Sequence, residues 1–199
     1  MDVPEADFWE SRYQSYDTPW ASGTATPALV NYMKDKPRDM SVLIPGAGTS
    51  MEVIALLDMG FVNITLCDIS RTAIQSAKDQ ISVLYPKNIV TFYHGDFFSM
   101  TGAFEVILEQ TFFCALHPSL RVAYVDKMYD LLSPGGTLTG VLFNKEFDKN
   151  GPPYGGGENE YKSLFTKKFY IKEMSMCLDS IPPRAGSELF FICKKIVNL

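Results

Sequence analysis

Residues 42–68 read VLIPGAGTSMEVIALLDMGFVNITLCD, and the fold is decided there. Val42-Leu43-Ile44 is a short apolar run of the kind a buried strand needs. Pro45-Gly46-Ala47-Gly48-Thr49-Ser50 is a glycine turn, and a helical pattern follows from Met51 to Met59. A second strand-like run, Val62 to Cys67, ends on Asp68. Strand, glycine turn, helix, strand and acid open a doubly wound α/β sheet and its nucleotide site. Gly46 and Gly48 let the backbone turn tightly with no Cβ against a ligand. The free N–H groups of the following helix start attract anionic groups. Thr49-Ser50-Met51-Glu52 fits a capping box. Asp68 stands about 20 residues past the turn, where an acid accepts hydrogen bonds from ribose hydroxyls. The third position of the dinucleotide fingerprint is Met51, which disfavours a pyrophosphate-bearing cofactor. An ordinary strand–turn–helix with no ligand is the plain alternative.

Downstream the alternation continues. Ser70 is placed to cap an amphipathic helix whose buried stripe is Ile74, Ala77, Ile81 and Leu84, with Pro86 ending it. Ile89 to Tyr93 reads as a strand, with Gly95-Asp96-Phe97-Phe98 at its carboxyl end. Phe104 to Leu108 reads as another, ending at Glu109-Gln110. Pro118 opens a helix to about Leu132, Ser133-Pro134-Gly135-Gly136 is a stop-and-turn, and Thr137 to Phe143 is a strand. A glycine- and proline-rich loop spans Asn150 to Gly157, and Glu158 to Phe165 is a short helix. Phe169 to Cys177 and Ser187 to Lys194 then read as an antiparallel pair at the sheet edge. Upstream, Phe8, Trp9, Tyr13 and Tyr16 fall at helical spacing. Asp17-Thr18-Pro19-Trp20 would present Trp20 from a turn. This face either packs on the core or forms a lid. Thr26-Pro27 marks the start of a helix to about Lys34.

The predicted architecture is a Rossmann-like α/β fold. It has a doubly wound, mostly parallel seven-stranded sheet with a C-terminal antiparallel hairpin, all in a single domain over residues 1–199, with residues 1–35 as an aromatic lid segment. The chain has 199 residues and is 46% hydrophobic, enough for a sizeable core. A net charge of −5 without a basic block disfavours nucleic acid. No apolar run reaches the ~20 residues of a membrane span, and the N-terminus does not read as a signal peptide. The four cysteines are scattered and the two histidines, His94 and His117, lie far apart. No metal site is therefore expected, and the thiols suit a reducing cytoplasm. A monomer is the expectation.

In such sheets ligands bind beyond the carboxyl ends of the strands. The residues there are Gly46, Asp68, Asp96, Glu109 and Gln110. Three acids would repel a phosphate, but they suit a ribose, an adenine amino group and a cationic sulfonium. That points to S-adenosylmethionine rather than a nicotinamide cofactor. Several stretches together resemble the thiopurine S-methyltransferase family, and within it the halide/thiol methyltransferase branch. They are WESRYQSYDTPWASGTATP at 9–27, LIPGAG at 43–48, CDIS at 67–70, GDFF at 95–98, EQTFFCALHP at 109–118, GPPY at 151–154 and PPRAGSE at 182–188.

The resemblance implies a class I methyltransferase fold and a site in which Trp9, Tyr13 and Trp20 wrap S-adenosylmethionine. Gly46 and Gly48 admit its methionine part. Asp68, with Ile69 beside it, holds the ribose, and Asp96 and Phe97 flank the adenine. Glu109 and Gln110 lie by the methionine and sulfonium end, and Tyr154 sits over the acceptor pocket. Tyr154 and Gln110 are the catalytic candidates. The chain departs from plant members of the branch at Tyr13 and at Glu109-Gln110, which bears on acceptor preference. Arg184 and Glu188 read as an ion pair and Arg121 as a helix-surface charge. Phe112, Phe113 and Phe143 are candidates to line an apolar acceptor pocket.

The resemblance implies a small soft nucleophile as acceptor, a thiol, bisulfide or halide that needs no strong base, and the chain agrees in that no Ser-His-Asp set is evident. The alternatives are a larger thiol of thiopurine type, an oxygen or nitrogen acceptor, and a non-catalytic S-adenosylmethionine-binding module. An oxidoreductase would need a Tyr-x-x-x-Lys pair after the glycine turn, and the one match, Tyr32/Lys36, lies before it.

Overall fold

The computed structural model describes residues 6–49, 51–85, 90–148 and 151–196. At its centre is β1 (Val42–Pro45), buried at every position. A strand covered on both faces carries a continuous apolar run, which is what Val42-Leu43-Ile44 supplies. Across the sheet the order is β3 (Val90–His94), β2 (Ile64–Asp68), β1, β4 (Phe104–Gln110), β5 (Leu132–Phe143), β7 (Glu188–Lys195) and β6 (Phe169–Met176). The first five pair in parallel, and β7 runs antiparallel to both β5 and β6. The seven-stranded, mostly parallel sheet with its closing antiparallel hairpin is thus the predicted architecture. The chain moves outward from β1 to β3, then returns to place β4 on the other flank. The strand order reverses between β1 and β4, where such sheets open a crevice.

Alternate residues of a strand point to opposite faces, and each face has its own core. Val42 and Ile44 pack with α2 (Pro27–Met33), α3 (Met51–Asp58) and α4 (Arg71–Leu84). Leu43 packs on the other face with α5 (Arg121–Leu131) and α6 (Glu158–Phe165), through Tyr124, Met128, Tyr161 and Phe165. The remaining helix, α1 (Ala6–Gln14), contributes no buried residue. No described helix is long and apolar enough to cross a membrane.

Several local readings change. Ser70 does cap α4, its Oγ accepting from Ala73 N at 3.1 Å, but the buried stripe is Ala73, Ile74, Ala77 and Ile81. Leu84 lies in the last turn, past the end of that stripe, and is 53% exposed. Pro86 and Ser50 lie outside the described residues. Glu52 does not fold back on its own helix. Its Oε1 accepts from Thr26 N at 3.0 Å and Thr26 Oγ1 at 2.9 Å, so it ties the start of α2 to α3. Residues 133–136 are not a free turn but belong to β5. Leu132 pairs with Phe104 and Thr137 with Val106, so the excess of residues on the β5 side is taken up in a bulge, with Gly135 at φ +73°. Pro118 starts a single 3-10 turn that leads into α5.

Candidate active site

A cavity of about 560 Å³ opens at the carboxyl ends of β1 to β5. Gly46 lies on its wall, as do Cys67, Asp68 and Ile69 at the end of β2 and Asp96 and Phe97 after β3. Phe112 and Cys114 line it after β4, and Phe143 at the end of β5. Trp9, Tyr13 and Trp20 line it from the N-terminal segment. The structure thus brings together eight of the expected residues: Trp9, Tyr13, Trp20, Gly46, Asp68, Ile69, Asp96 and Phe97.

The N-terminal segment brings an aromatic cluster to the wall. Trp20 meets Trp9 edge-on at 5.6 Å and Tyr13 at 5.9 Å, and Trp20 Nε1 donates to Tyr13 Oη at 3.4 Å. The Arg12 guanidinium lies 5.2 Å from the Trp20 ring centroid and pairs with Asp17 at 3.2 Å. Tyr16 is not part of this face. It lies past the end of α1 at φ +55° and is 92% exposed. Because α1 buries nothing, its docking falls to Glu10, which sequence reasoning missed. The Glu10 carboxylate accepts from Ser70 Oγ at 2.6 Å, Thr72 N at 3.1 Å and Thr72 Oγ1 at 2.6 Å. These bonds hold its carboxyl down at about 2. A carboxylate at the first turn of α4 also suits the helix dipole.

The glycine turn lies under two rings. Gly46 has φ +60°, and a Cβ there would fall 2.4 Å from Phe112 Cδ2. Gly48 has φ +52°, and its Cβ would fall 2.8 Å from Tyr13 Oη. Both positions therefore require glycine, for conformation and for space. Gly48 itself is not on the cavity wall; its N–H donates to Asp68 Oδ2 at 3.0 Å. Asp68 Oδ1 accepts from Ser70 N at 2.9 Å. Burial raises the Asp68 pKa, and these backbone donors oppose the rise. Asp96 is exposed, with Oδ1 accepting from Phe98 N and Oδ2 from Ser99 Oγ, both at 3.0 Å.

Three other expected residues do not line the cavity. Glu109 is fully buried beneath it: Oε1 accepts from Phe112 N at 2.8 Å and Phe113 N at 2.9 Å, and Oε2 from Tyr124 Oη at 2.5 Å. Burial pushes its carboxyl up to about 7 against those bonds. The strand pleat explains the miss, since the residue just before the last of β4 turns inward. Gln110 accepts from Thr111 Oγ1 at 2.8 Å, and Thr111, at φ +59°, is the residue that reaches the wall. Tyr154 and His117 meet edge-to-face at 5.4 Å, and the Tyr154 N–H donates to Cys114 O at 2.7 Å. It pins the segment whose Pro152 and Pro153 form the wall.

Phe112 and Phe143 line the cavity as expected, whereas Phe113 belongs to the core. Arg121 is not a surface charge. It is 5% exposed, stacks 4.9 Å from Phe113, and donates to Glu160 at 2.5 Å and Gly155 O at 2.6 Å. Arg184 and Glu188 do pair, at 3.3 Å, and Arg184 also lines the cavity and donates to Trp20 O at 3.0 Å. Lys145 and Phe147 complete the wall near β5; a lone lysine in a loop carries no pattern that would have marked it. The described cavity wall has no histidine, and burial pushes the Cys67 thiol up to about 12. No described cluster of residues could hold a metal ion.

The sequence model described as Thiopurine S-methyltransferase (TPMT) matches residues 4–192. A probable thiol methyltransferase 2 of Arabidopsis thaliana is 32% identical over 160 residues, covering 78% of this chain and 70% of the relative. A thiocyanate methyltransferase 1 of Brassica oleracea is 30% identical over 195 residues, covering 94% and 84%. The fold is similar to that of a Burkholderia thailandensis 1,6-didemethyltoxoflavin-N1-methyltransferase solved with S-adenosylhomocysteine. The TM-score is 0.77 at 20% identity, over 96% of this chain and 87% of that one.

Proposed function

Because this chain belongs to the thiopurine S-methyltransferase family, whose members move a methyl group from S-adenosylmethionine, we propose that its acceptor is a small soft nucleophile: a thiol, bisulfide or halide. The wall residues fit the cofactor. Two acids on the wall, Asp68 and Asp96, suit the donors of a ribose and an adenine, and neither makes an ion pair with a described lysine or arginine that would serve a phosphate. Trp9, Tyr13 and Trp20 line the cavity, and a ring face turned to a cation is worth about 0.5–2 kcal/mol when water is excluded. When bound, S-adenosylmethionine supplies an activated methyl group: the acceptor's lone pair forms the new bond as the methyl–sulfonium bond breaks and its electrons leave with sulfur.

In this reading the chain's own task is alignment and exclusion of water. Holding the partners in line is worth roughly 7–11 kcal/mol when the geometry is good. Asp68 and Ile69 hold the ribose side, Asp96 and Phe97 the adenine side, and Gly46 the methionine side. Glu109, Gln110, Gly48 and Tyr154 act through the backbone they fix.

One observation carries the choice of acceptor. The described wall offers no histidine base, no thiolate and no carboxylate free of hydrogen bonds. Its thiols are held protonated by burial, and both oxygens of Asp68 and of Asp96 already accept hydrogen bonds. An acceptor that arrives as an anion needs no base. Four free, buried cysteines support a cytoplasmic location.

The test is a panel of bisulfide, methanethiol, iodide, thiocyanate, an aromatic thiol and a thiopurine with S-adenosylmethionine, across pH 6–9. The expected result is turnover of the small anions, flat with pH for iodide and rising through the thiol's own pKa for methanethiol. A bell-shaped profile shared by both acceptors, or turnover of the thiopurine alone, refutes the reading.

A further inference from the structure

We propose that Lys145 selects the acceptor, favouring a small thiol whose far end carries a negative charge, such as a mercapto-carboxylate. The inference rests on the methyl-transfer reading above and adds the acceptor's second group. Three cations line the cavity: Arg12, Lys145 and Arg184. Arg12 is neutralised by Asp17 at 3.2 Å, and Arg184 by Glu188 at 3.3 Å. Lys145 makes no ion pair with any described carboxylate. Its Nζ stands 4.8 Å from the Phe147 ring centroid and 5.6 Å from that of Phe143, and both rings belong to the wall. Aromatic faces thus hold an ammonium at the cavity edge and leave its charge for a ligand.

The backbone that carries this ammonium is fixed. Lys145 bridges to Gly156, whose N–H donates to Lys145 O at 3.0 Å. The neighbouring Gly155 O is held by Arg121 at 2.6 Å. The sheet order then sets the distance across the cavity. Lys145 follows the end of β5, two strands from the Gly46 turn after β1 and three from Asp68 on β2. At about 4.8 Å per strand these are separations of about 10 and about 14 Å. The acids lie on the donor's side and the unpaired cation on the far side. A two- or three-carbon thiol reacting near the turn can direct a carboxylate towards Lys145, with the flexible lysine stem covering the remainder. The thiol proton goes to solvent before transfer, so the reacting sulfur and the carboxylate are both anionic.

The test measures kcat/KM per thiolate for 3-mercaptopropionate, 2-mercaptoethanol and 2-mercaptoethylamine, using the full chain with saturating S-adenosylmethionine. The wild-type protein should favour the carboxylated thiol over the neutral one by about fivefold, the scale of a part-exposed ion pair. Lys145→Gln should bring that ratio to about one, and Lys145→Glu should pass the preference to the amine. An unchanged ratio in Lys145→Gln overturns the proposal. So does an equal loss for all three thiols with a raised KM for S-adenosylmethionine, which would assign Lys145 to the donor's carboxylate. Turnover of the neutral thiol with no preference for charge refutes this inference and leaves methyl transfer standing. No product from any of the three thiols overturns this proposal, and iodide and bisulfide run in parallel decide whether methyl transfer stands.

Discussion

Replacing Glu109 with glutamine should stabilise the protein above neutral pH and change little in acid. The carboxyl is fully buried, and its ordinary value of 4.5 rises to about 7, chiefly through lost solvation. A carboxyl whose folded pKa lies above the unfolded one binds its proton more tightly when folded. Its contribution is therefore complete below about 4.5 and is lost as pH rises through about 7. At about 1.4 kcal/mol per pH unit, the whole loss is on the order of 3 kcal/mol, nearly all of it gone by pH 7. Glutamine keeps an oxygen for Phe112 N and Phe113 N and turns an amide donor towards Tyr124, whose hydroxyl can accept. It carries no charge to desolvate. Urea unfolding of both proteins between pH 5 and 8 isolates this group, because other titrations cancel in the difference. The two should agree near pH 5 and diverge to about 2–3 kcal/mol in favour of the variant at pH 8. A difference that stays flat with pH, or a variant less stable throughout, refutes the account of Glu109 as a strained buried acid.

Gly46→Ala forces a side chain into φ +60° and into the Phe112 ring, at roughly 1–2 kcal/mol for the backbone alone. Calorimetry should show donor binding weakened at least tenfold, and affinity within twofold of wild type would contradict the crowded turn. Glu10→Ala removes the acceptor of three hydrogen bonds between α1 and the start of α4. Since α1 buries no residue, the melting temperature should hold within about 2 °C while amide exchange in α1 speeds up and the donor's KM rises severalfold. Unchanged exchange would mean that the rings alone dock the lid. Burial raises the Asp68 pKa, and a nearby cation would lower it again, so binding a sulfonium should release protons when pH lies near that pKa. S-adenosylmethionine affinity should therefore rise with pH through that range more steeply than S-adenosylhomocysteine affinity. Parallel curves for the two would count against a charge-sensing Asp68.

The sheet was legible because its evidence is local. Val42-Leu43-Ile44 before Pro45-Gly46, and Asp68 closing β2, follow rules that span fewer than thirty residues. The wall rings of the N-terminal segment were legible, Trp9 and Tyr13 from helical spacing and Trp20 from its turn, whereas Tyr16 lies past the end of α1. Glu109 was not. In sequence it is one more acid at a strand end, and only the pleat decides that it faces Tyr124 rather than the cavity. Arg121, Lys145 and Glu10 were illegible for a related reason. Arg121 and Glu10 find their partners far along the chain, Gly155 with Glu160 and Ser70 with Thr72, while Lys145 lies between Phe143 and Phe147 and only the fold brings that stretch to the cavity. Glycine turns and strand ends announce themselves, whereas a charged side chain does not reveal which backbone it will hold.

The three acids at the sheet rim therefore differ in what they face. Only Asp68 and Asp96 reach the cavity. Buried acids in this fold act first as braces: Glu52 for the start of α2, Asp68 for the glycine turn, Glu109 for the segment after β4, and Glu188 for Arg184 under Trp20. Each holds a loop that ends on the cavity, and a charge-assisted bond to backbone N–H is stronger than a neutral one. Desolvation makes such a brace expensive, which is why burial raises the pKa of Asp68 and of Glu109. That expense is reasonable where alignment is the main catalytic contribution, because a loop displaced by an ångström loses more rate than the brace costs in stability. The N-terminal aromatic segment is held more lightly, by Glu10 at the start of α4 and by Arg184 at the Trp20 carbonyl, and it borders the same cavity. Fixed walls and a lightly held cover are what a site needs if it must admit a whole nucleoside and then exclude water from one sulfur.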